Sequence, residues 1–156
     1  MPPLITETRV EDLLRQPMTA SGRVRWRQKR GWWEATIPVS HPDPGVRLRL
    51  IITVNDRIRS KASVSLLLDG GYRIRGLDLG GSHENKHTDR NVWYHQVHKH
   101  KWTDACRGAW AYTPAEISND VSLEQAFLLF CAECGIEFRG TWHDPPPVQT
   151  RIKRLW

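Results

Sequence analysis

Apolar residues recur at helical spacing near the N-terminus of the chain. Val10 and Leu13 lie three residues apart, which places both on one face of a helix. Thr8 and Glu11 fit a capping box at the start of that helix, and Pro17 ends it. The pattern therefore predicts a short N-terminal helix.

From residue 23 to residue 112 the pattern changes to alternation, which is typical of strands with one buried face. Breaks rich in Gly and Asp separate the runs, and residues 29–31 fit the turn of a hairpin. The predicted strands cover residues 23–27, 32–39, 47–53, 63–68, 72–79, 92–102 and 109–112. We expect an antiparallel sheet of about five to seven strands.

A second helix follows the strands. Ser122 and Gln125 form another capping box, and apolar residues then continue at helical spacing as far as Cys134. Gly135 stands where a C-cap glycine belongs. We expect this helix to pack on the sheet, so the predicted fold class is α+β. Residues 1–144 form a single domain in this interpretation, and residues 145–156 form a Pro-rich and then basic C-terminal arm.

The chain is basic and rich in arginine and tryptophan. Its 156 residues carry 23 Lys and Arg against 17 Asp and Glu, and 39% of them are hydrophobic, which excludes wholesale disorder. Seventeen of the basic residues are Arg, which binds phosphate in bidentate fashion and stacks on flat rings, and eight residues are Trp. This combination favours nucleic acid as the partner, RNA above all, with an acidic protein as the alternative.

Three features favour a cytoplasmic protein. No apolar run approaches the roughly 20 residues of a membrane span, so no membrane association is expected. The N-terminus lacks the basic region and apolar run of a secretory signal. The 3 cysteines are too few for a disulfide framework, as expected in a reducing compartment.

Histidines cluster in one part of the chain. Five of the seven lie within residues 83–100, and alternation puts His98 and His100 on one face of a strand, roughly 6.5–7 Å apart. Such a pair suits acid–base catalysis, in which one ring takes a proton and the other ring, or His83, returns one. The same three histidines suit zinc or another divalent metal, and a purely structural role stays open.

Cys131 and Cys134 have the spacing of half a zinc site, but the second half is missing. Both also fall on the apolar stripe of the second helix, so we interpret them as buried core residues. The sequence therefore predicts no cofactor, with a metal held by His83, His98 and His100 as the alternative.

Basic residues alternate on several predicted strands, and neighbouring strands would combine them into one positive face that binds phosphates. The predicted phosphate-binding residues are Arg23, Arg25, Arg27, Arg47, Arg49, Arg73, Arg75 and Lys99. Trp93 and Trp102 are the predicted base-stacking residues, and Trp32 and Trp33 offer the same ring chemistry.

Three short motifs occur in order along residues 77–112. They are Leu-Asp followed by His-x-Asn within 77–85, His-x-His-x-Trp at 98–102, and Trp-Ala-Tyr at 110–112. In these motifs the chain resembles a bacterial family of small single-domain proteins of unknown function. It departs from the family where Gly-Gly-Ser replaces a Gly/Pro turn and where Trp102 replaces a tyrosine. The resemblance implies that the three histidines are the residues of interest and that the protein is of toxin or phage-defence type, but it implies no activity.

Three functions follow as hypotheses. The first is a small, metal-independent endoribonuclease, in which two histidines supply the general base and acid and a nearby cation stabilises the phosphorane. The second is a non-catalytic module that binds nucleic acid or an acidic protein such as an antitoxin. The third is a metal-dependent hydrolase, in which Asp78 orients the histidine ligands.

Overall fold

The computed structural model describes residues 5–69, 71–80, 83–84, 93–94, 98–103, 107–112 and 121–148. Side chains are described in these ranges except at 83–84, 93–94, 98 and 107–112. The elements in chain order are α1 (Glu7–Leu14), β1 (Met18–Ala20), β2 (Arg27–Lys29), β3 (Trp32–Ser40), β4 (Leu48–Asn55), β5 (Ala62–Leu68), β6 (Tyr72–Leu79), β7 (His83–Glu84), β8 (Trp93–Tyr94), β9 (His98–Thr103), β10 (Arg107–Tyr112), α2 (Leu123–Glu133) and β11 (Ile136–Phe138).

The main sheet has the strand order β10-β9-β6-β5-β4-β3-β1-β11, and β2 pairs with β3 beside this path. Within the described strands the pairs are antiparallel except β1 with β11, which are parallel. The sheet curls into a half-barrel. The α+β class is therefore confirmed, but the expected purely antiparallel sheet is wrong, because the chain returns after α2 and runs beside β1 in the same direction.

The sheet also contains more strands than predicted, and some of the predicted strands are shorter in the structure than the sequence pattern indicates. β1, β2 and β11 have only three residues each, which is too short to give a periodic signal. The strand predicted from residue 23 begins only at Arg27, because the backbone N–H of Val24 donates to the carbonyl of Thr141 instead of joining a ladder. Of the strand predicted over residues 92–102, residues 92 and 95–97 lie outside the described part of the chain.

One face of the sheet packs against both helices, and we call it the helix face. Its buried side chains form one core with those of the helices: Leu50, Ile52, Val64, Leu66 and Leu77 from the strands, Val10 and Leu13 from α1, and Phe127 and Phe130 from α2. Because side chains alternate along a strand, the residues between these point to the opposite face, which we call the polar face.

Capping residues fix where each helix begins. Ser122 and Gln125 form the predicted capping box of α2, and Gly135 follows the end of this helix with a φ of 73°. In α1 the cap is Thr6 and not Thr8, since Thr6 has the extended backbone that an N-cap needs while Thr8 is already helical.

The first residues of the predicted C-terminal arm contact the domain. The guanidinium of Arg59 donates to the backbone carbonyl of Pro146. Residues 149–156 lie outside the described residues, so the boundary at residue 144 stays a prediction. In the described part of the chain, neither helix is long and apolar enough to cross a membrane.

Candidate functional site on the polar face

Two adjacent rows of polar residues cross the polar face. Backbone register aligns Thr53, Ser63 and Asp78 in the first row, and the hydroxyls of Thr53 and Ser63 lie 2.7 Å apart. The second row contains Ser65 and His100, which flank β6 from opposite sides. Four strands, β4, β5, β6 and β9, therefore contribute to one polar surface.

Asp78 is the centre of a hydrogen-bonded group that we call the Asp78 network (Ser65, Arg73, Asp78 and His100). Nη2 of Arg73 donates to Oδ1 of Asp78 at 2.8 Å, and Nε of Arg73 donates to Oγ of Ser65 at 2.9 Å. Nε2 of His100 donates to Oδ2 of Asp78 at 2.8 Å, and only 3% of His100 is exposed. A carboxylate bonded to both a guanidinium and an imidazole fixes the orientation of both groups.

Gly76 makes room for the guanidinium of Arg73. A Cβ at position 76 would overlap the Nη2, Cζ and Nε atoms of Arg73, so the guanidinium lies against the backbone of β6 itself. The sequence signal of this arrangement is the Arg-x-x-Gly-x-Asp spacing from Arg73 to Asp78. Alternation alone does not reveal it, because the three residues do not share a regular period of two.

A bulge in β6 separates two arginines that were predicted to share a face. Leu66 on β5 pairs with Arg75. The next residue, Leu67, pairs with Arg73, so β6 holds one extra residue, Ile74, at this point. Arg73 therefore lies on the polar face with Ser65, whereas Arg75 pairs with a carboxylate of α1 on the helix face. The expectation of one shared face is wrong because it assumed a regular strand.

Lys99 also lies on the helix face. It is 1% exposed, and its ammonium forms an ion pair with Glu133 of α2. Burial lowers the pKa of Lys99, and the nearby thiol of Cys134 acts in the opposite direction. The predicted phosphate ligand is therefore part of the contact between the sheet and α2, where a phosphate on the polar face does not reach it.

Cys131 and Cys134 are both buried, which confirms their interpretation as core residues. Burial raises the pKa of each thiol to about 12. At Cys134 the positive charges of Arg75 and Lys99 act against this increase without cancelling it. Both thiols are therefore protonated near neutral pH, which is a poor state for metal binding or redox exchange.

The predicted base-stacking residue Trp102 lies in the core. It is 4% exposed, its Nε1 donates to the backbone carbonyl of Ile5 at 2.8 Å, and its ring meets that of Tyr72 edge to face. A base has no access to this ring in the structure, because packing encloses it. The side chain of Trp93 lies outside the described residues.

The three predicted catalytic histidines are described to different extents. His100 belongs to the Asp78 network. The backbone of His98 pairs in register with Asp78, and His83 lies on β7. The side chains of His83 and His98 lie outside the described part of the structure, so their contribution to the network stays a prediction.

The remaining predicted phosphate-binding arginines are exposed but dispersed. Arg27 on the edge strand β2 and Arg49 on β4 lie on the polar face. Arg23 and Arg25 precede β2. Arg47 borders a pocket of about 380 Å³ beside the start of α1. The strands that carry arginines are not neighbours, because β3 separates β2 from β4 and β5 separates β4 from β6.

A pocket of about 380 Å³ opens on the polar face beside Asp78, and we call it the Trp32 pocket. This volume is within the roughly 300–1,000 Å³ of small-ligand sites. Trp32 is 38% exposed, so its ring is accessible to a ligand. The lining residues are Trp32, Thr53, Lys61, Ala62, Ser63, Asp78 and Leu79.

The Trp32 pocket combines an aromatic ring, a cation, a carboxylate and two hydroxyls. The sequence had singled out Trp32 as a ring for stacking but not Thr53, Ser63 or Lys61. Small polar residues that alternate with apolar ones were a signal for Thr53 on β4 and for Ser63 on β5. Lys61 precedes the strand and gave no signal.

No three His, Cys, Asp or Glu side chains come together as a candidate metal site in the described residues. The metal-dependent alternative needs the side chains of His83 and His98, which are outside that part of the chain. It therefore stays a prediction.

Comparison with known proteins finds no match to this chain. No protein-family model, curated protein or solved structure matches the chain. The resemblance of residues 77–112 to a bacterial family of unknown function accordingly stays a prediction.

Proposed function

We propose that this protein binds single-stranded nucleic acid, with RNA as the favoured ligand, and that one nucleotide enters the Trp32 pocket. The observation that carries the proposal is the exposed residue Trp32, which lines the same pocket as Lys61 and Asp78. Stacking of a base on an aromatic ring is the main sequence-tolerant contact in such complexes. A pocket of this kind takes an unpaired base, and single strands are the usual target of RNA recognition.

Cations on the same face support the proposal. Arg27 and Arg49 are exposed on the polar face, on either side of β3. Lys29 also lies on this face, but it pairs with Glu34 at 2.9 Å and adds less positive field. The whole chain carries a net charge of +6, so association with a polyanion gains from counterion release.

RNA cleavage at Asp78 and His100 is a second candidate function. The 2.8 Å bond from Nε2 of His100 to Asp78 is the kind of contact that orients a catalytic imidazole, and Asp78 also lines the pocket. Of the cations predicted to stabilise the phosphorane, Arg73 is the one on this face. Binding is the first candidate because Trp32 is open to a ligand whereas His100 is almost fully buried.

Fluorescence anisotropy with a labelled single-stranded RNA of mixed sequence tests the proposal. The wild-type protein should bind, and its affinity should fall steeply as salt rises. Trp32→Ala should weaken binding by about 1–3 kcal/mol, the usual contribution of one stacked base. Leu129→Ala is the matched control, because Leu129 has a similar exposure of 39% but lies on α2. Equal affinity of wild type and Trp32→Ala would contradict the proposal.

The same samples, run on a denaturing gel with and without EDTA, test the second candidate. Cleavage that resists EDTA and falls about 10²- to 10⁴-fold in His100→Gln would support acid–base catalysis. Cleavage that EDTA abolishes would favour a metal-dependent hydrolase instead. Intact RNA in every lane would exclude cleavage and leave the binding proposal untouched.

A further inference from the structure

We infer that residues 149–156, which we call the basic segment, bind phosphates of the RNA whose base enters the Trp32 pocket, an inference that rests on the proposed nucleic-acid binding. The basic segment follows directly after the last residue that the structure describes, Val148. Two observations support this role. One is the distribution of charge along the chain, and the other is the place at which the preceding residues are attached to the domain.

Half of the net charge of the chain comes from the basic segment. Its eight residues include Arg151, Lys153 and Arg154 and no acidic residue, so it carries +3 of the net charge of +6. The first 148 residues contain 20 basic and 17 acidic residues. Most cations of the domain are therefore balanced by carboxylates, whereas those of the basic segment have no acidic neighbour in sequence. A polyanion gains from such a concentrated charge through counterion release.

The chain that leads to the basic segment is attached first to the core on the helix face. The rings of Trp142 and Phe127 lie 5.2 Å apart, and Phe127 belongs to α2. Nε1 of Trp26 donates to the backbone carbonyl of His143 at 2.8 Å. These contacts define the course of the chain as far as residue 143.

A second attachment lies in the turn beside the Trp32 pocket. The guanidinium of Arg59 donates to the backbone carbonyl of Pro146, and Nε of Arg59 is buried. Arg59 belongs to the turn between β4 and β5, in which the backbone N–H of Lys61 donates to the carbonyl of Ile58. Because Lys61 also lines the Trp32 pocket, the chain at Pro146 has reached the same turn as the pocket.

The proline run carries this position on to the basic segment. Prolines have no backbone N–H, so residues 145–147 offer only carbonyl oxygens to the domain, and Arg59 binds the middle one. A run of prolines is stiff, and only Pro147 and Val148 separate the attachment from the basic segment. Eight residues span up to about 28 Å when extended, so the three cations can reach phosphates on either side of the pocket.

A chain that ends at Val148 tests the inference. Fluorescence anisotropy with the labelled single-stranded RNA of mixed sequence is measured for the full chain and the shortened chain from 50 to 500 mM salt. The slope of log affinity against log salt should be smaller by about 2 in the shortened chain, because each phosphate contact to a single strand contributes roughly 0.7. A slope difference of about 2 changes the ratio of the two affinities roughly 100-fold over this tenfold range of salt.

Two triple variants of the full chain separate local charge from net charge. Arg151→Gln, Lys153→Gln and Arg154→Gln together should reproduce the effect of shortening, and this variant decides the question if the shortened chain does not fold. The matched control removes the same charge from three exposed arginines that pair with carboxylates elsewhere, through Arg9→Gln, Arg15→Gln and Arg139→Gln. Its slope should stay close to that of wild type.

Each contrary result has a distinct meaning. An unchanged slope in the shortened chain, or equal losses in the two triple variants, would overturn the inference while the proposed RNA binding stands. Tighter binding by the shortened chain would also overturn it, since the basic segment would then obstruct the pocket. Absence of binding by the full chain would overturn both.

The attachment at Arg59 has a test of its own. Arg57 is exposed in the same turn, and within the described residues its side chain has no bond to Pro146, so Arg57→Gln is the matched control for Arg59→Gln. In the full chain Arg59→Gln should weaken RNA binding more than Arg57→Gln, because the basic segment is then held less closely to the pocket. In the chain that ends at Val148 the two variants should bind equally. A difference that persists there would mean that Arg59 contacts the RNA itself and does not position the segment.

Discussion

At the residue scale, the geometry of the candidate site depends on the position of one arginine side chain. Arg73 lies across Gly76 and joins Ser65 to Asp78, and Asp78 in turn holds His100. Each member has a directed partner, so the network is rigid in the way that recognition sites require. The absent side chain at Gly76 is as much part of the site as the charged groups.

Gly76→Ala should disconnect the network at moderate cost to the fold. The new Cβ would displace the guanidinium of Arg73, which is the flexible end of a long side chain, so we expect a loss of about 1 kcal/mol in the free energy of unfolding. RNA binding should weaken by more than the loss in the free energy of unfolding. Urea unfolding and anisotropy measure the two effects, with Gly45→Ala as the control because Gly45 lies in a loop outside the network. Unchanged RNA binding in Gly76→Ala would show that the position of Arg73 is irrelevant to the ligand.

His100→Ala should destabilise the protein much more than the same change at an exposed histidine. The imidazole is buried, and its removal takes away a bond to the Asp78 carboxylate, so we expect a loss of about 2 kcal/mol. His143→Ala should stay within about 0.5 kcal/mol of wild type, because His143 is exposed. The midpoint of urea unfolding gives both values, and equal midpoints would contradict the structural role of His100.

The same residues show how far the sequence predicts the site. Alternation singled out His100 and the arginines of β6, whereas Asp78 was predicted only to orient histidine ligands of a metal. It could not predict that Arg73 and Arg75 lie on opposite faces of the sheet, because a bulge depends on the register of the neighbouring strand. Nor could it show that Trp102 is enclosed, since a tryptophan in an alternating strand looks the same whether its face is covered or open.

At the element scale, the contact between α2 and the sheet contains one buried ammonium and two buried thiols. Lys99 crosses this contact to reach Glu133, and Cys131 and Cys134 lie on the inner side of α2. Sequence patterning predicted α2 well because its apolar stripe is long and capped at both ends. It failed on β1 and β11, because these strands of three residues each come from opposite ends of the chain and their pairing leaves no local pattern.

The helix thiols should be unreactive in the folded protein. Their pKa values of about 12 leave almost no thiolate at pH 8, and both side chains are buried. In a Cys106→Ser background, Ellman's reagent should label neither thiol rapidly, and both should react once urea unfolds the chain. Rapid labelling of either thiol without urea would show that α2 does not pack as described.

Lys99→Met should preserve or raise stability near neutral pH. Burial lowers the pKa of Lys99 in the folded state, so the unfolded chain binds the proton more tightly. The charged form therefore opposes folding at pH values below the folded pKa, and this opposition fades as the pH rises toward 10.5. The substitution removes one partner of the ion pair only, but 35% of the Glu133 side chain is exposed, so its carboxylate keeps contact with water and is not left as a buried charge.

Urea unfolding from pH 7 to pH 10 measures this effect as the difference between Lys99→Met and wild type. The difference should be zero or positive at pH 7 and should shrink with rising pH. Comparison at each pH removes the contribution of the cysteines, whose raised pKa values make both proteins less stable above about pH 9. Lys101→Met, at a half-buried site on the same strand, is the control. A large loss of stability in Lys99→Met would mean that the ion pair with Glu133 outweighs its desolvation.

At the scale of the whole molecule, the two faces of the sheet differ in what they contain. The helix face holds the apolar core and the buried ion pair, while the polar face carries the Asp78 network, the Trp32 pocket and the exposed arginines of β2 and β4. The net charge of +6 predicted a polyanionic partner from composition alone, but not where such a partner would lie. That location depends on strand order, which places β3 and β5 between the arginine-bearing strands and gathers the hydroxyls of β4 and β5 beside Asp78.

The most direct test of this account is to locate the RNA on the protein. Ultraviolet crosslinking of bound single-stranded RNA, followed by mass spectrometry of the digested protein, identifies the peptides in contact with bases. The account predicts crosslinks at Trp32 on β3 and at the start of β5 near Lys61, and unlabelled RNA should compete them away. Crosslinks confined to α2, where Leu128 and Leu129 are exposed, would contradict it, because they would place the nucleic acid on the opposite side of the sheet.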